Sequence, residues 1–141
     1  MNVIVKTYSN LPIEAREIRE TVFVIEQGFV DEFDEDDNKA IHIVLFNEEL
    51  PIATSRIIYS EKHHCYTIGR FAVIKEYRNK QIGRKLMEIT EQEIINRFGH
   101  IQIGVSAQKR AEQFYEKMGY KYTSERYLDQ NYHHVWMTKQ L

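Results

Sequence analysis

Short apolar runs with alternating polar residues recur along the chain and predict seven β-strands. These runs are, in order, "NVIVKTY", "AIHIVLF", "IATSRIIYS", "CYTIGRFAVI", "HIQIGVSA", "YKYTSERYL" and "YHHVWMTKQL". The turn "NEELP" joins the second run to the third, and "DQN" joins the sixth to the seventh. Both pairs are therefore predicted to be β-hairpins.

The segment "PIEAREIRETVFVIEQG" has helical spacing and predicts a first helix. Pro12 is tolerated in a first helical turn, and Gly28 is a suitable residue to end the helix. An apolar stripe is expected at Ile18, Val22 and Ile25. A second face, rotated by one residue, carries Arg19, Phe23 and Glu26. This face mixes charge with an aromatic ring, as the wall of a cleft does.

Two further helices are predicted at "IGRKLMEITEQEIINRFG", which ends at Gly99, and at "KRAEQFYEKMGY", which Gly119 terminates. One face of the last helix is expected to hold Ala111, Phe114, Tyr115 and Met118. The predicted order is β-α-β-β-β-α-β-α-β-β. This order indicates a single α/β domain over residues 1–141, with a mixed sheet and helices packed on it.

Length and net charge limit the number of domains and the classes of partner that the protein can have. The 141 residues suit one domain with its own core, and the formal net charge of −2 argues against a nucleic-acid partner, so any anion site must be local. One cysteine, Cys65, allows no internal disulfide and suits a reducing compartment. No leader-like start and no apolar run of membrane-spanning length occur in the sequence. We expect a cytoplasmic protein with no membrane partner.

The stretch "YRNKQIGRKL" concentrates positive charge between a predicted strand and a predicted helix. Free N–H groups at the helix start, together with the helix dipole, favour an anion there. Gly83 allows close backbone approach, and four side chains could neutralise phosphate: Arg78, Lys80, Arg84 and Lys85. Neither the P-loop pattern nor G-x-G-x-x-G is present. By composition alone, a solvated helix start explains the stretch better than an anion site does.

The longer segment "GRFAVIKEYRNKQIGRKLM" resembles the acyl-CoA-binding motif of the GNAT superfamily of N-acetyltransferases, whose loop reads [Q/R]-x-x-G-x-[G/A]. Arg78 matches the first position and Gly83 the last, whereas Gln81 replaces the middle glycine. "AEQFYEKMGY" resembles the second signature of the family. Within the superfamily the chain is most similar to the ElaA-like group, through "VFVIEQ", "FDEDD" followed by "HIV", "IGRFAV" and "HVWM".

The resemblance implies the GNAT acyl-CoA N-acyltransferase fold, with a mixed, mostly antiparallel sheet of about seven strands flanked by helices. It implies acetyl-CoA as the donor and no metal. The donor-binding residues it implies are Phe71, Ala72 and Val73 on a strand edge, followed by Arg78, Asn79, Lys80, Gln81, Ile82, Gly83 and Arg84 in the loop. The backbone of Phe71 and Val73 would pair with the pantetheine amides, and the Val73 N–H would polarise the thioester carbonyl.

Tyr115 matches the family's general acid for the leaving thiolate, although its helical face is also typical of a core aromatic. The base that takes the proton of the amine is left open between Glu26 and His134, with His42 a weaker candidate. Each of these residues could instead be structural. Direct attack by the amine is favoured over an acetyl-cysteine intermediate, because Cys65 lies outside both matched motifs.

The acidic run from Asp31 to Asp37 does not fit a calcium loop, because Asp36 and His42 occupy the positions of the required glycine and glutamate. We expect a solvated loop, although such a loop at the border of the acceptor mouth could attract a cationic amine. "HHC" at 63–65 lacks a second ligand pair for zinc.

The expected acceptor is an amine on a small molecule or a peptide-like chain, and Phe23, Tyr132 and Trp136 suggest that it has some apolar surface. One alternative is an acyl-homoserine-lactone synthase, which Arg19, Phe23, the acidic cluster and Arg56 resemble. Another is a CoA-binding module without catalysis. A homodimer is expected only by analogy with relatives of the same fold.

Overall fold

A single seven-stranded sheet organises the computed structural model, which describes residues 1–30 and 32–141. The strands are β1 (Val3–Tyr8), β2 (Ile41–Asn47), β3 (Leu50–Ser60), β4 (Cys65–Val73), β5 (Gln102–Gln108), β6 (Lys121–Asp129) and β7 (Tyr132–Gln140). Their order across the sheet is β1-β2-β3-β4-β5-β7-β6, and every neighbouring pair is antiparallel except β4 and β5. The predicted mixed, mostly antiparallel α/β architecture is confirmed.

The helices connect these strands in the predicted order. They are α1 (Ile13–Arg19), which continues as a π-helical segment (Glu20–Glu26), α2 (Ile82–Phe98) and α3 (Glu112–Lys117). Short 3-10 turns occupy Glu35–Asn38, Lys75–Tyr77 and Lys109–Ala111. Within the residues that the structure describes, no helix combines the length and the apolar character needed to cross a membrane.

Two apolar cores cover opposite faces of the sheet, because successive side chains of a strand point to opposite sides. The larger core packs α2 and α3 on one face through Leu45, Ile57, Ile68, Leu86, Met87, Ile94, Ile103, Val105, Tyr115, Val135 and Met137. The smaller core packs α1 on the other face through Ala15, Ile18, Val22, Phe23, Phe29, Val44, Phe46 and Ala72. The site described below lies between these two layers.

The predicted apolar stripe of the first helix is wrong at its last position. Ile18 and Val22 are buried, but Ile25 is 73% exposed. The helix changes from α to π after Arg19, and a π turn holds more residues than an α turn. Ile25 is therefore rotated out of the stripe that a period of 3.6 predicts. The helix ends where predicted, because Gln27 is the C-cap and Gly28 follows it with a φ of 77°.

Two acids of the run are buried against the sheet, which corrects the expectation of a solvated loop, while Asp34, Glu35 and Asp36 are exposed. Glu32 is 4% exposed and Asp37 is 3% exposed. Arg19, itself 1% exposed, donates to the Glu32 carboxylate from Nε at 2.8 Å and to the Asp37 carboxylate from Nη1 at 2.8 Å. Asp31 lies outside the described residues.

Two strand arginines complete this charge cluster. Arg56 on β3 donates to Asp34 and Asp37, each at 2.9 Å, and Arg70 on β4 forms an ion pair with Glu32 at 3.0 Å. Buried ions of opposite sign compensate one another only when their hydrogen bonds are made, so the acids and arginines depend on each other. The cluster fixes the loop after α1 against β3 and β4.

Asp37 gives the protein an acid-sensitive contribution to stability. Burial raises the pKa of Asp37, but hydrogen bonds and charge attraction from Arg19 and Arg56 outweigh it and lower the pKa to about 2. A carboxylate with a lowered folded pKa stabilises the fold above its unfolded pKa and loses that contribution as pH falls toward the folded value. The free energy of unfolding in urea should therefore drop by about 2 kcal/mol between pH 5 and pH 2 through this residue.

Asp37→Asn should remove this part of the pH dependence and also destabilise the protein by about 3 kcal/mol at pH 7, because it leaves buried guanidinium groups without their carboxylate. Asp36→Asn is the matched control, since Asp36 lies in the same 3-10 turn but is exposed. If Asp37→Asn loses as much free energy of unfolding at low pH as the wild type does, Asp37 is not the source of the acid sensitivity.

Gly104 is a second point of high structural sensitivity. A Cβ at Gly104 would lie 2.0 Å from Cζ2 of Trp136, whose indole covers this part of β5. Gly104→Ala should therefore lower the free energy of unfolding by about 3 kcal/mol, because the indole has to leave its position. Gly69→Ala on β4 is the control, since its Cβ would have no atom within 4 Å. Equal destabilisation by the two substitutions would show that the indole adapts.

Candidate active site

The parallel strands β4 and β5 separate soon after they meet. Their pairing is limited to Thr67 with Gly104 and Ile68 with Val105. Beyond these pairs β4 runs on to Val73 and β5 to Gln108 without a ladder between them. The sheet therefore opens into a wedge at this point.

A β-bulge on β4 marks the start of the wedge. The register between β3 and β4 shifts between Thr54 and Arg56, and Arg70 has a φ of 47°. An extra residue bends a strand and reverses which side chains face each layer. Ile68 packs in the α2 layer before the bulge, whereas Phe71 and Val73 pack there after it.

Backbone amides of β4 face the open wedge. The N–H of Ile74 donates to the carbonyl of Ile52 on β3 at 3.0 Å. Because backbone groups alternate in direction along a strand, the N–H groups of Phe71 and Val73 point away from β3. The Val73 carbonyl lies on the same side and accepts from Arg78 Nε at 2.9 Å. These two amides are thus available to a ligand in the wedge.

The first turn of α2 supplies further free amides beside the wedge. The earliest helical hydrogen bond runs from Lys85 N–H to the Gln81 carbonyl at 3.1 Å, so the preceding amides have no partner within the helix. Gln81 caps the helix with φ 64° and ψ 15° and without a side-chain cap. This left-handed conformation is the one that glycine adopts most easily. Gln81 therefore has a backbone conformation that a glycine at this position of the motif would adopt without strain.

The loop residues divide into three groups. Arg78, Asn79 and Gly83 line the cavity described next. Ile82 is 4% exposed within the core, so only its backbone is accessible to a ligand. Two cations turn to other partners: Lys80 lies over the Tyr77 ring at 5.4 Å, and Arg84 pairs with Glu88 at 3.1 Å. The donor-binding role of all these residues stays a prediction.

One cavity of about 860 Å³ passes from the loop through the wedge to the opposite face of the sheet. Its donor half, as we call it, is lined by Phe71, Ala72, Val73, Arg78, Asn79, Gly83, Ala111, Phe114 and Tyr115. Its acceptor half is lined by Phe23, Glu26, Arg56, Ser60, His63, Arg70, Ser106, Tyr127, His134 and Trp136, among others. Tyr132, predicted near the acceptor, instead stacks on Phe29 at 5.0 Å. Residues from both faces of the sheet thus line one cavity.

Tyr115 lies on α3 where the wedge narrows, and it is 7% exposed. Its ring contacts Phe114 and Tyr120 edge-on, with centroids 5.3 and 5.7 Å away. Burial raises the pKa of Tyr115 far above its ordinary range, so the phenol keeps its proton. The neighbouring Tyr120 hydroxyl donates to Met87 and Glu91 within the core, whereas the Tyr115 side chain lines the cavity. Tyr115 is thus both a core aromatic and a cavity-lining donor.

His134 offers a lone pair in the acceptor half. Its Nδ1 lies 2.9 Å from the Tyr132 carbonyl, and a carbonyl only accepts, so Nδ1 carries a hydrogen. In the neutral ring Nε2 is then the acceptor, which is the form that a general base needs. The ring stacks on Tyr127 at 5.7 Å.

The other two candidates for the base are engaged. Glu26 lines the cavity but holds Arg78 through both carboxylate oxygens, at 2.9 and 3.0 Å. His42 is 1% exposed, lies 2.9 Å from the Asp37 carbonyl and does not line the cavity. Burial lowers the pKa of His42. Its position is that of a structural residue of the charge cluster.

Several cavity residues escaped the sequence analysis. His63 stacks on Trp136 with centroids 3.6 Å apart, and its Nε2 lies 2.9 Å from Glu125. Ser106 on β5 bonds Tyr127 on β6. The sequence did contain a sign of the position of Ser106. Small or polar residues alternate in "GVSAQ", and this alternation predicts a strand with one face free of large apolar side chains.

A metal centre has no support in the described residues, where no three His, Cys, Asp or Glu side chains gather as ligands. Cys65 does not line the cavity, and burial raises the pKa of its thiol. A thiol with a raised pKa is a poor nucleophile. Besides its charged side chains, the site thus offers free backbone amides, the Tyr115 phenol and the His134 imidazole.

Known proteins share both this sequence pattern and this architecture. The family model described as an acetyltransferase (GNAT) domain matches residues 13–141. A Bacillus subtilis protein named as an acetyltransferase is 35% identical over 131 residues, which cover 89% of this chain and 87% of that protein. An N-acetyltransferase structure from Lactobacillus plantarum superposes with a TM-score of 0.88 at 29% identity, covering 100% of this chain and 99% of that one.

Two more distant structures share the fold. Escherichia coli ElaA has a TM-score of 0.87 at 23% identity, with 99% of this chain and 100% of that chain covered. A GNAT acetyltransferase from Elizabethkingia anophelis, solved with acetyl-CoA bound, has a TM-score of 0.75 at 14% identity, with 99% of each chain covered. The predicted resemblance is confirmed: the chain belongs to the GNAT acetyltransferase family and is an acetyl-CoA-dependent N-acetyltransferase.

Proposed function

We propose that the protein transfers the acetyl group of acetyl-CoA to the amine of a small-molecule or peptide-like acceptor by direct attack. The observation that carries this proposal is the continuous cavity. It connects the free amides of the α2 start, the open edge of β4 and Tyr115 with side chains on the opposite face of the sheet, such as Phe23 and His134. A donor and an acceptor can therefore share one cavity and meet at the wedge.

The donor half suits a coenzyme A arm. The free amides at the start of α2 and the guanidinium of Arg78 would hold the diphosphate. The Phe71 and Val73 backbones would pair with the pantetheine amides as an added strand does. The Val73 N–H would then polarise the thioester carbonyl, a contribution on the order of 3 kcal/mol to the barrier.

Each half of the cavity would supply one of the two proton transfers. His134 would take a proton from the attacking amine through Nε2, because this nitrogen is free to accept. The new C–N bond forms as the C–S bond breaks, and Tyr115 would give its phenolic proton to the departing sulfur. The products are the N-acetylated acceptor and coenzyme A. Glu26 remains an alternative base once Arg78 releases it.

The two rival functions receive less support. The pattern that resembled an acyl-homoserine-lactone synthase consists largely of the buried charge cluster, in which Arg19 is 1% exposed. The presence of Arg19 and Arg56 is therefore accounted for by their ion pairs, which stabilise the fold. An inactive coenzyme A-binding module would not require a free imidazole and a free phenol in the same cavity as the donor groups.

A panel of primary amines with acetyl-CoA, followed by detection of released thiol, tests the proposed function. Turnover with small amines or peptide amines is expected. Silence across the panel, with coenzyme A still raising the melting temperature, would support the inactive module instead. Absence of any melting-temperature shift at millimolar coenzyme A would refute donor use altogether.

Tyr115→Phe should lower kcat by about 100-fold while the affinity for acetyl-CoA stays the same, because it removes a proton donor and little volume. Tyr120→Phe is the control, since Tyr120 packs against Tyr115 but donates to Glu91 at 2.7 Å in the core. That substitution should cost about 1 kcal/mol of stability with kcat unchanged. Equal turnover of Tyr115→Phe and wild type would assign the acid role elsewhere.

His134→Gln should lower kcat by about 100-fold with little change in acetyl-CoA affinity, because glutamine cannot accept the amine proton. The neighbouring His133→Gln should behave as wild type, since His133 is exposed on the opposite face of the strand. Steady-state kinetics of both variants with the best amine of the panel provide the measurement. A fully active His134→Gln would favour Glu26 as the base.

A further inference from the structure

We infer that Glu26 occupies the phosphate-binding guanidinium of Arg78 in the donor-free protein, so that Glu26 and the donor diphosphate compete for the same arginine. This inference rests on the proposed function, because it takes the loop from Arg78 to Arg84 as the diphosphate site. It gives Glu26 a role in donor affinity, separate from any role as a base.

The contact between the two residues is a bidentate ion pair. Nη1 of Arg78 donates to Oε2 of Glu26 at 3.0 Å, and Nη2 donates to Oε1 at 2.9 Å. A guanidinium binds two oxygens of a phosphate with the same bidentate geometry. The carboxylate of Glu26 therefore presents to Arg78 the pair of oxygens that a phosphate would present.

The pair connects two separate parts of the cavity wall. Glu26 ends the π-helical segment after α1, and Arg78 begins the loop before α2, 52 residues later in the chain. Arg78 is also fixed to the end of β4, because its Nε donates to the Val73 carbonyl at 2.9 Å. The guanidinium is held beside the wedge while its Nη groups face the carboxylate.

Among the described loop cations, Arg78 alone has a carboxylate partner from a different element. Arg84 pairs with Glu88 one turn along its own helix, and Lys80 lies over Tyr77. A diphosphate bound at the α2 amides would bring negative charge close to Glu26. Like charges at short range repel, and Arg78 can satisfy the incoming anion only by loosening its hold on Glu26.

Donor binding would therefore free the Glu26 carboxylate inside the cavity. The side chains of Arg78 and Glu26 are 38% and 29% exposed, so the pair is accessible to solvent and its strength is modest. A modest internal pair is one that a multivalent phosphate ligand can displace. The structure thus couples occupation of the donor half to the charge of the acceptor half.

Calorimetric titration of the full-length protein with coenzyme A tests this competition. Glu26→Gln should tighten coenzyme A binding by about fivefold, because the competing carboxylate and its charge are gone. Glu93→Gln is the matched control: Glu93 pairs with Arg97 at 2.7 Å with comparable exposure, and it lies on α2 well beyond the first turn. Its coenzyme A affinity should equal that of the wild type.

The single variant Arg78→Gln and the double variant Arg78→Gln with Glu26→Gln complete a double-mutant cycle for coenzyme A affinity. Removing Glu26 should bring at most a small gain in affinity when Arg78 is absent, because no guanidinium is left to release. If Glu26→Gln binds coenzyme A as the wild type does, or more weakly, the competition is refuted, and weaker binding would show that Glu26 clamps the donor. No coenzyme A binding by any variant or by wild type would instead refute the proposed function on which this inference rests.

Discussion

The separation of β4 from β5 is the constraint on which the rest of the site depends. Two residue pairs join these strands, and the bulge at Arg70 turns β4 away before the ladder can continue. Backbone groups that lack a partner within the fold need one from solvent or from a ligand. The free amides of Phe71 and Val73 follow from this geometry, and they are chemical groups that no side chain provides.

The charge cluster maintains the other wall of the cavity. Arg19, Arg56 and Arg70 hold the acidic run that follows α1, and Arg19 directly precedes the π-helical segment that ends in Glu26. Fixing a long polar loop costs conformational entropy, so several mutually bonded charges are needed to offset it. The acidic run, whose composition predicts a solvated loop, therefore forms part of the wall of the acceptor half.

Local pattern was sufficient to predict most of the elements. Alternation and helical spacing placed seven strands and the helices in the right order, and Gly99 and Gly119 marked helix ends correctly with φ values of 91° and 96°. Motif resemblance predicted the family, because the loop and the last helix carry characteristic residues at fixed spacing. These features are encoded within short stretches of the chain.

Features that depend on distant partners could not be predicted in the same way. The exposure of Ile25 follows from a π turn that helical spacing does not reveal. The burial of Glu32 and Asp37 requires arginines from three elements, and the engagement of Glu26 requires Arg78, 52 residues away. The bulge at Arg70 depends on pairing with β3. Each of these shapes the candidate site, and each is a property of the assembled sheet.

The brief seam between β4 and β5 also has a mechanical consequence. It divides the sheet into a four-stranded part and a three-stranded part, which the helices on the larger core otherwise hold together. A ligand that forms hydrogen bonds with the free edge of β4 and packs against β5 would contact both parts of the sheet and hold them together. Occupancy of the wedge would thereby make the two parts of the sheet unfold more cooperatively than they do alone.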